Sequence, residues 1–585
     1  MTDSALGLGD AAPRAVPQDA MLATLSPIVD GGLIVKTILL VALWAAGFGA
    51  AVLARELLRV SIGPQLVAVT VALWNPYVAE RVLQGHWSLL TGYAALPWTA
   101  LAAYRIRIRG RRASGSDAAV ARGGTVGSWG AMAGCFAAAG LTPTGALLAG
   151  ITAVVLVGRR NVLGALVLLS AASAPWLAAT ALSGAGTAPS DPAGIAAFAA
   201  RAEPALGTLG TLAGLGGIWN ADSVPDSRTT PLALIATALL LTLVALGIRA
   251  TAGIKTGATP TGDATNSTHP EAATIAAAPT GDDADAAATT GGIDRESLRV
   301  RRALLVLAAL AVVLPAMGAT SWGMSGLEWL VGHMPGAGLL RDTQKYVALA
   351  MPAYVLCAAA GCRAVAVRLA ANSAAPKESA RPPGTALAAT VFIALLVLPL
   401  FDLAWGVGGA LKPVHYPVGW QRVAERIDGP GDVAVLPGGM FRKFPYSGRV
   451  AVLDPAPRML PRDVLQTGEL PVHGRTVAGE GTRAREVETA LLHGDSARRL
   501  GELGVGWVLV ERTTPGPLGD SKTTLAQLDS VYADSQLALY RVPDATDRFE
   551  QSQSAHRVIS YAAHILWAVL LVGGLLLAAL LRPRR

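Results

Sequence analysis

The sequence predicts a polytopic all-α membrane protein of about eleven spans or half-spans, with a mixed α/β domain outside the membrane before the final helix. Three observations carry this. Apolar residues make up 52% of the 585 residues and charged residues 15%, with a mean hydropathy of +0.45, a balance of chains that lodge most of their length in lipid. Basic residues gather at the ends of apolar runs, most densely at Arg105, Arg107, Arg109, Arg111 and Arg112. That clustering is a topology signal, so the formal charge of +8 does not point to nucleic acid. Finally, the apolar period changes after residue 402, where DVAVLPG (432–438), RVAVLD (449–454), WVLVE (507–511) and LALYRV (537–542) read as strands.

Residues 1–31 form an external N-terminal segment; no basic region followed by an apolar run marks a signal peptide. Spans follow at about 34–57, 62–77 and 87–104, and the basic run after the third places the Asn75–Trp87 turn and residues 1–31 outside. A polar external start with nothing ahead of it either crosses as a short tail, its net charge being slightly negative, or follows a further transmembrane helix upstream, the reading favoured here. The stretch 127–158 is broken by Gly140, Thr142, Pro143 and Thr144, which predicts two half-length helices. A span at about 161–182, a loop at 183–229 and a helix at about 231–248 complete the first membrane half, 32–249. Residues 250–297, rich in Ala, Thr, Gly and Asp and without an aromatic residue, read as a disordered cytoplasmic linker. The second half, 298–401, has helices at about 303–319, 346–361 and 385–401 and an external loop at 320–345. Residues 402–556 form the extracytoplasmic domain, with flanking helices at 419–427 and 486–503, and 557–585 hold the final helix and a cytoplasmic tail.

The richest polar stretch is NPYVAERVLQGHWSLLTGYAALPW, Asn75 to Trp98, with Glu80, Arg81, Gln84 and His86 inside a turn between apolar helices. Such residues are expensive at a membrane and are usually kept for a task. A site at the outer interface would use a carboxylate to deprotonate an acceptor hydroxyl and cations to hold an anionic lipid phosphate. Asp10, Asp19 and Glu80 are the candidate catalytic carboxylates. His86, Asp222, Arg341, Asp342, Lys345 and Arg442 are the candidate substrate-binding residues; Arg341 and Lys345 are four apart and share a helix face. Each has a plainer reading as well. Asp10 sits near a terminus where carboxylates are commonly solvated, juxtamembrane Arg and Lys anchor helices, Asp342 has cations beside it to pair with, and Arg442 lies in a basic and aromatic cluster that could dock the domain. Cys135, Cys357 and Cys362 lie in or beside apolar segments, so neither a disulfide framework nor a metal cluster is implied, and GLGG at 214–217 lacks the context of a phosphate loop.

In its external first loops, paired-helix core, RDTQKY segment (341–346) and C-terminal external mixed domain, the chain resembles the GT-C glycosyltransferases of actinobacteria. The Asn75–Trp98 segment is similar to one in members of that group and, more loosely, to the arabinofuranosyltransferase branch. The resemblance implies a polyprenyl-phosphate-linked sugar donor, a cell-envelope glycan or lipid acceptor, and a plasma-membrane location with the C-terminus inside. It implies a catalytic acidic residue in the first external loop, where Asp10 is the nearest match by position, and donor-phosphate contacts at Arg341 and Lys345, with Glu80 or His86 facing the same cavity. A divalent cation bridging carboxylate and phosphate is the one candidate cofactor, because some relatives use one. Two other functions compete. A transporter or lipid flippase would carry ionisable residues in mid-span, of which there are few. A non-catalytic protein that assembles envelope enzymes would have acidic residues that point away from one another.

Overall fold

The computed structural model describes residues 1–10, 12–13, 15–109, 118–183, 190–254, 281–334, 336–371, 383–472, 474–545 and 553–581. The membrane part contains α1 (Gln18–Leu25), α2 (Gly31–Leu58), α3 (Ile62–Leu73), α4 (Pro76–Leu83), α5 (Trp87–Arg109), α6 (Ala118–Ala139), α7 (Pro143–Leu156), α8 (Val162–Ala172) and α9 (Ala174–Leu182). It continues with α10 (Ala193–Ala197), α11 (Gly207–Ala213), α12 (Leu232–Thr251), α13 (Gly281–Gly318), α14 (Ser321–His333), α15 (Met351–Ala371) and α16 (Pro383–Val397). A short left-handed turn, α17 (Ala404–Gly409), leads into the C-terminal domain. The domain's helices are α18 (Gly419–Ala424), α19 (Ala456–Met459), α20 (Thr482–His493), α21 (Ala497–Glu502) and α22 (Ser521–Leu525), and α23 (Gln553–Leu580) returns to the bundle.

Among the described residues, seven helical segments are long and apolar enough to cross a membrane, or eight if α8 and α9, bent by 63°, form one broken span. That is fewer than the eleven spans and half-spans expected. The difference lies chiefly in α5, α6 and α7: α7 is too short, and none of the three is among the seven, yet they pack inside the bundle, α6 between α5 and α23. Helices there are shielded by neighbours and need less lipid-facing apolar surface of their own. The break expected within 127–158 falls at the α6–α7 junction, where Thr142 caps α7 by accepting from the Gly145 N–H at 3.0 Å. Residues 255–280 of the expected linker lie outside the described residues, and α13 already begins at Gly281, within it.

The basic runs meet at one end of the bundle. There Arg105 pairs with Glu56, Arg299 with Glu296 at 2.6 Å, and Arg363 donates to the Leu58 carbonyl at 2.7 Å. The C-terminal domain stands at the opposite end.

That domain has a four-stranded sheet of β1 (Asp432–Leu436), β6 (Val505–Glu511), β7 (Asp529–Ala533) and β8 (Leu537–Arg541), in the order β1-β6-β8-β7. β1 and β6 run parallel and the other neighbours antiparallel. Two ribbons, β2 (Phe441–Arg442) with β3 (Val452–Leu453) and β4 (Leu470–Val472) with β5 (Arg475–Val477), lie beside it. Both faces of the sheet are buried, so its alternation is between two cores. Val433, Trp507, Leu509 and Leu539 pack with Trp420 and Phe444, while Ala434, Leu436 and Val508 pack with Val487 and Leu491. Val505 joins the second core although Trp507 joins the first, because the register shifts at Asp432/Val433. Gly506 sits at that shift, where a Cβ would collide with the Pro430 carbonyl.

Candidate functional site

The site is built on α4. Asn75 caps it by accepting from the Val78 N–H at 3.1 Å, and Pro76 occupies the first turn, where a missing N–H costs nothing. The Asn75 amide also donates to the Val71 carbonyl at 2.9 Å, and the Tyr93 hydroxyl donates to the Ala72 carbonyl at 2.7 Å. These bonds lock α3, α4 and α5 into one corner. Glu80 and Arg81 are adjacent, so they leave α4 about 100° apart and reach two different segments.

Glu80 is fully buried and holds the 216–218 segment. Its two oxygens accept from the Gly217 and Ile218 N–H groups, both at 3.1 Å, and one also accepts from the Gln344 amide at 3.2 Å. Gly217 makes this approach at a φ of 96°, which suits glycine. A carboxylate tied this way, with both oxygens accepting hydrogen bonds, orients backbone.

Arg81, also fully buried, reaches residues 342–344. It donates to both Asp342 oxygens, at 2.9 and 3.3 Å, and to the Gln344 carbonyl oxygen, and lies 3.2 Å from His86 Nδ1. Gln344 links the halves, since its amide donates to Glu80 and to the Gly216 carbonyl at 3.2 Å. Lys345 lies 3.7 Å from Asp342, and its side chain is 26% exposed against 7% for Asp342. Burial pushes the Asp342 carboxyl up, but Arg81 and Lys345 outweigh it and hold it below the usual range. Burial, then Arg81 and Lys345, drives the His86 imidazole well below its usual value, so it is neutral near pH 7.

The loop before α12 completes the cluster. Gln84 accepts from the Asn220 amide at 2.7 Å and the Ser223 hydroxyl at 2.8 Å, which brings exposed Asp222 beside the α4–α5 turn. Beneath it, Glu203 and Arg228 form a buried ion pair, and Arg201 stands 3.5 Å from Glu203. Burial raises the Glu203 carboxyl against the pull of Arg228. Sequence reasoning passed over Glu203; a lone Glu in a loop gives no signal until its distant arginine is placed. Four cations, Arg81, Arg201, Arg228 and Lys345, thus meet three carboxylates, Glu80, Glu203 and Asp342. Arg341 adjoins them with its guanidinium over the Phe198 ring at 5.7 Å.

The other candidates lie elsewhere. Asp10 pairs with Arg483, which also holds Asp432, and Asp19 pairs with Arg458 at 3.1 Å. Both therefore tie the N-terminal segment to the C-terminal domain. Arg442 is buried within that domain between Glu511 and Asp454, with which it pairs. Among the described residues, no group of three or more His, Cys, Asp or Glu is placed to hold a metal ion.

The sequence matches no protein-family model and no curated protein. Two solved structures resemble the chain, both of the arabinofuranosyltransferase AftD from Mycobacteria, the second of a mutant form. The first gives a TM-score of 0.48 at 15% identity over 92% of this chain and 35% of the other; the second gives 0.47 at 15% over 91% and 37%. The chain spans about a third of the length of those proteins.

Proposed function

We propose that the chain is a membrane glycosyltransferase that moves a sugar from a polyprenyl-phosphate donor to a cell-envelope glycan or glycolipid at the end of the bundle that carries the C-terminal domain. One observation carries this reading: partly exposed Lys345 and Arg341 stand at the edge of a buried polar network in which cations outnumber carboxylates. An anionic lipid phosphate would complete that balance. In the reaction, the acceptor oxygen bonds to the sugar's anomeric carbon as the bond to phosphate breaks. The acceptor proton passes to a carboxylate, and the charge left on the polyprenyl phosphate is met by Lys345 and Arg341. Asp222 is the base this arrangement favours, being exposed and fixed beside the α4–α5 turn through Asn220 and Ser223. Glu80 and Asp342 serve as positioning residues, with His86 a neutral hydrogen-bonding neighbour.

The test is binding of decaprenyl phosphate to the chain in nanodiscs, followed by sugar transfer from a polyprenyl-phosphate sugar. Lys345→Met is expected to weaken binding about tenfold or more, the worth of a hydrogen bond to a charged group, while Asp222→Asn abolishes transfer and leaves binding intact. Unchanged binding in Lys345→Met would overturn the phosphate site. A non-catalytic assembly role is favoured by the pairing of Asp10 and Asp19 with domain arginines; it predicts no transfer with any donor.

A further inference from the structure

At the basic end of the bundle, away from the proposed transfer site, a cleft of about 200 Å³ opens where α2, α5, α13 and α15 meet. It has room for several waters, whose share of liquid volume is about 30 Å³ each. Three guanidinium groups from three segments line it: Arg59 at the end of α2, Arg301 on α13 and Arg363 on α15. Its two carboxylates have partners, Glu56 with Arg105 and Asp294 with Arg59. Arg363 spends one N–H on the Leu58 carbonyl. The Arg301 Nε, by contrast, is buried with no hydrogen-bond partner. A buried charged donor left without an acceptor is costly.

From this we infer that the cleft binds a phosphate group, held by Arg301 and Arg363 and closed over by Arg59. Guanidinium forks suit phosphate oxygens, and two from different helices converge on a compact tetrahedral anion better than on a flat carboxylate. Arg59 is free to take part. Its pair with Asp294, at 2.8 Å with side chains 64% and 58% exposed, is of the solvated kind that contributes little. Arg59 follows the candidate span 31–58 and Asp294 opens the candidate span 294–318, so the cleft lies where two spans end, which is where lipid headgroups are met. The favoured source is therefore an anionic phospholipid of the leaflet on the basic side, and a free phosphate is the other source.

The experiment uses the full chain in nanodiscs of phosphatidylcholine, with and without phosphatidylglycerol, read by native mass spectrometry of retained lipid. Wild type is expected to keep phosphatidylglycerol over phosphatidylcholine, and Arg301→Gln to lower that retention about tenfold. Arg301→Lys, which keeps the charge but loses the fork, should fall between them and guards against misfolding of the first variant. Arg302→Gln is the control, because exposed Arg302 on the same helix is spent on the Ala252 carbonyl. If inorganic phosphate displaces the lipid from wild type but not from Arg301→Gln, the phosphate group is what the cleft reads; saturation by inorganic phosphate with no lipid preference identifies the free ion as the source. Equal retention of both lipids without any phosphate effect overturns the site, as does a loss in Arg302→Gln equal to that in Arg301→Gln.

Discussion

Two buried arginines make an instructive pair. Arg81, in the membrane part, and Arg442, in the C-terminal domain, are both almost wholly removed from solvent. Arg81 meets one carboxylate, an amide and an imidazole, with a second cation at the exposed edge. Arg442 meets two carboxylates and the Gly439 carbonyl inside a sealed core. The first cluster has positive charge to spare at an opening, the second negative charge to spare with no way out. A surplus at an opening can be met by an anionic ligand; a sealed surplus must be met by a proton. Burial and the neighbouring Asp454 accordingly raise the Glu511 carboxyl far above its usual range, and burial raises Asp454 despite Arg442.

The contrast breaks first at the arginines. Arg81→Ala is expected to cost about 3–5 kcal/mol, because it leaves Asp342 buried with only the longer 3.7 Å pair to Lys345; denaturant unfolding in detergent measures it. Arg442→Ala should cost less at pH 5 than at pH 8, since its two carboxylates can take up protons, and equal losses at both pH values would dissolve the distinction. Next in size, Glu80→Gln is expected to cost about 1–3 kcal/mol by turning a donor toward the Gly217 or Ile218 N–H. Hydrogen exchange should then quicken at 216–224. Lost sugar transfer with unchanged exchange there would instead make Glu80 a catalytic base.

The pH effects are smaller. Glu511 holds its proton in the fold at pH values where the unfolded chain, with a carboxyl near 4.5, has lost it. The native state then binds more protons, so the domain's stability falls as pH rises above that value. Glu511→Gln should flatten the slope, read as protection of residues 505–511 from exchange between pH 5 and pH 8. The smallest expected effect is at His86, whose imidazole burial, Arg81 and Lys345 hold well below its usual value: decaprenyl phosphate binding should show no step between pH 6 and 8 that His86→Gln removes.

How much of this was legible in the sequence depended on range. α2 lies within a few residues of the span read from hydropathy, and β1, β6 and β8 fall on the Val-rich runs, because each is written by a local period. RVAVLD forms only the two-residue β3, and β7, whose DSVYA is half exposed, has no apolar face to mark it in the sequence. α14 falls within the stretch 320–345 expected as an external loop, although Trp322 and Trp329 lie seven apart on one exposed helical face. The site was legible as residue types only. Glu80, Arg81 and Asp342 were all singled out, but the choice of Arg81 as the partner of Asp342 spans 261 residues, and no spacing rule reaches that far. For the same reason, Asp10 and Asp19 could be named as carboxylates without their arginines at 483 and 458 being foreseen.

Those first residues carry one more consequence. Asp3 pairs with Arg557 at 2.8 Å, the Ser4 N–H donates to Asp463 at 2.8 Å, and the Leu6 carbonyl accepts from the Ser560 hydroxyl at 3.1 Å. Residues 3–6 are therefore held from two sides, by Asp463 of the C-terminal domain and by Arg557 and Ser560 of α23. The final helix and the domain thus share one clasp, and a displacement of α23 reaches the domain through residues 3–6 without crossing the rest of the bundle.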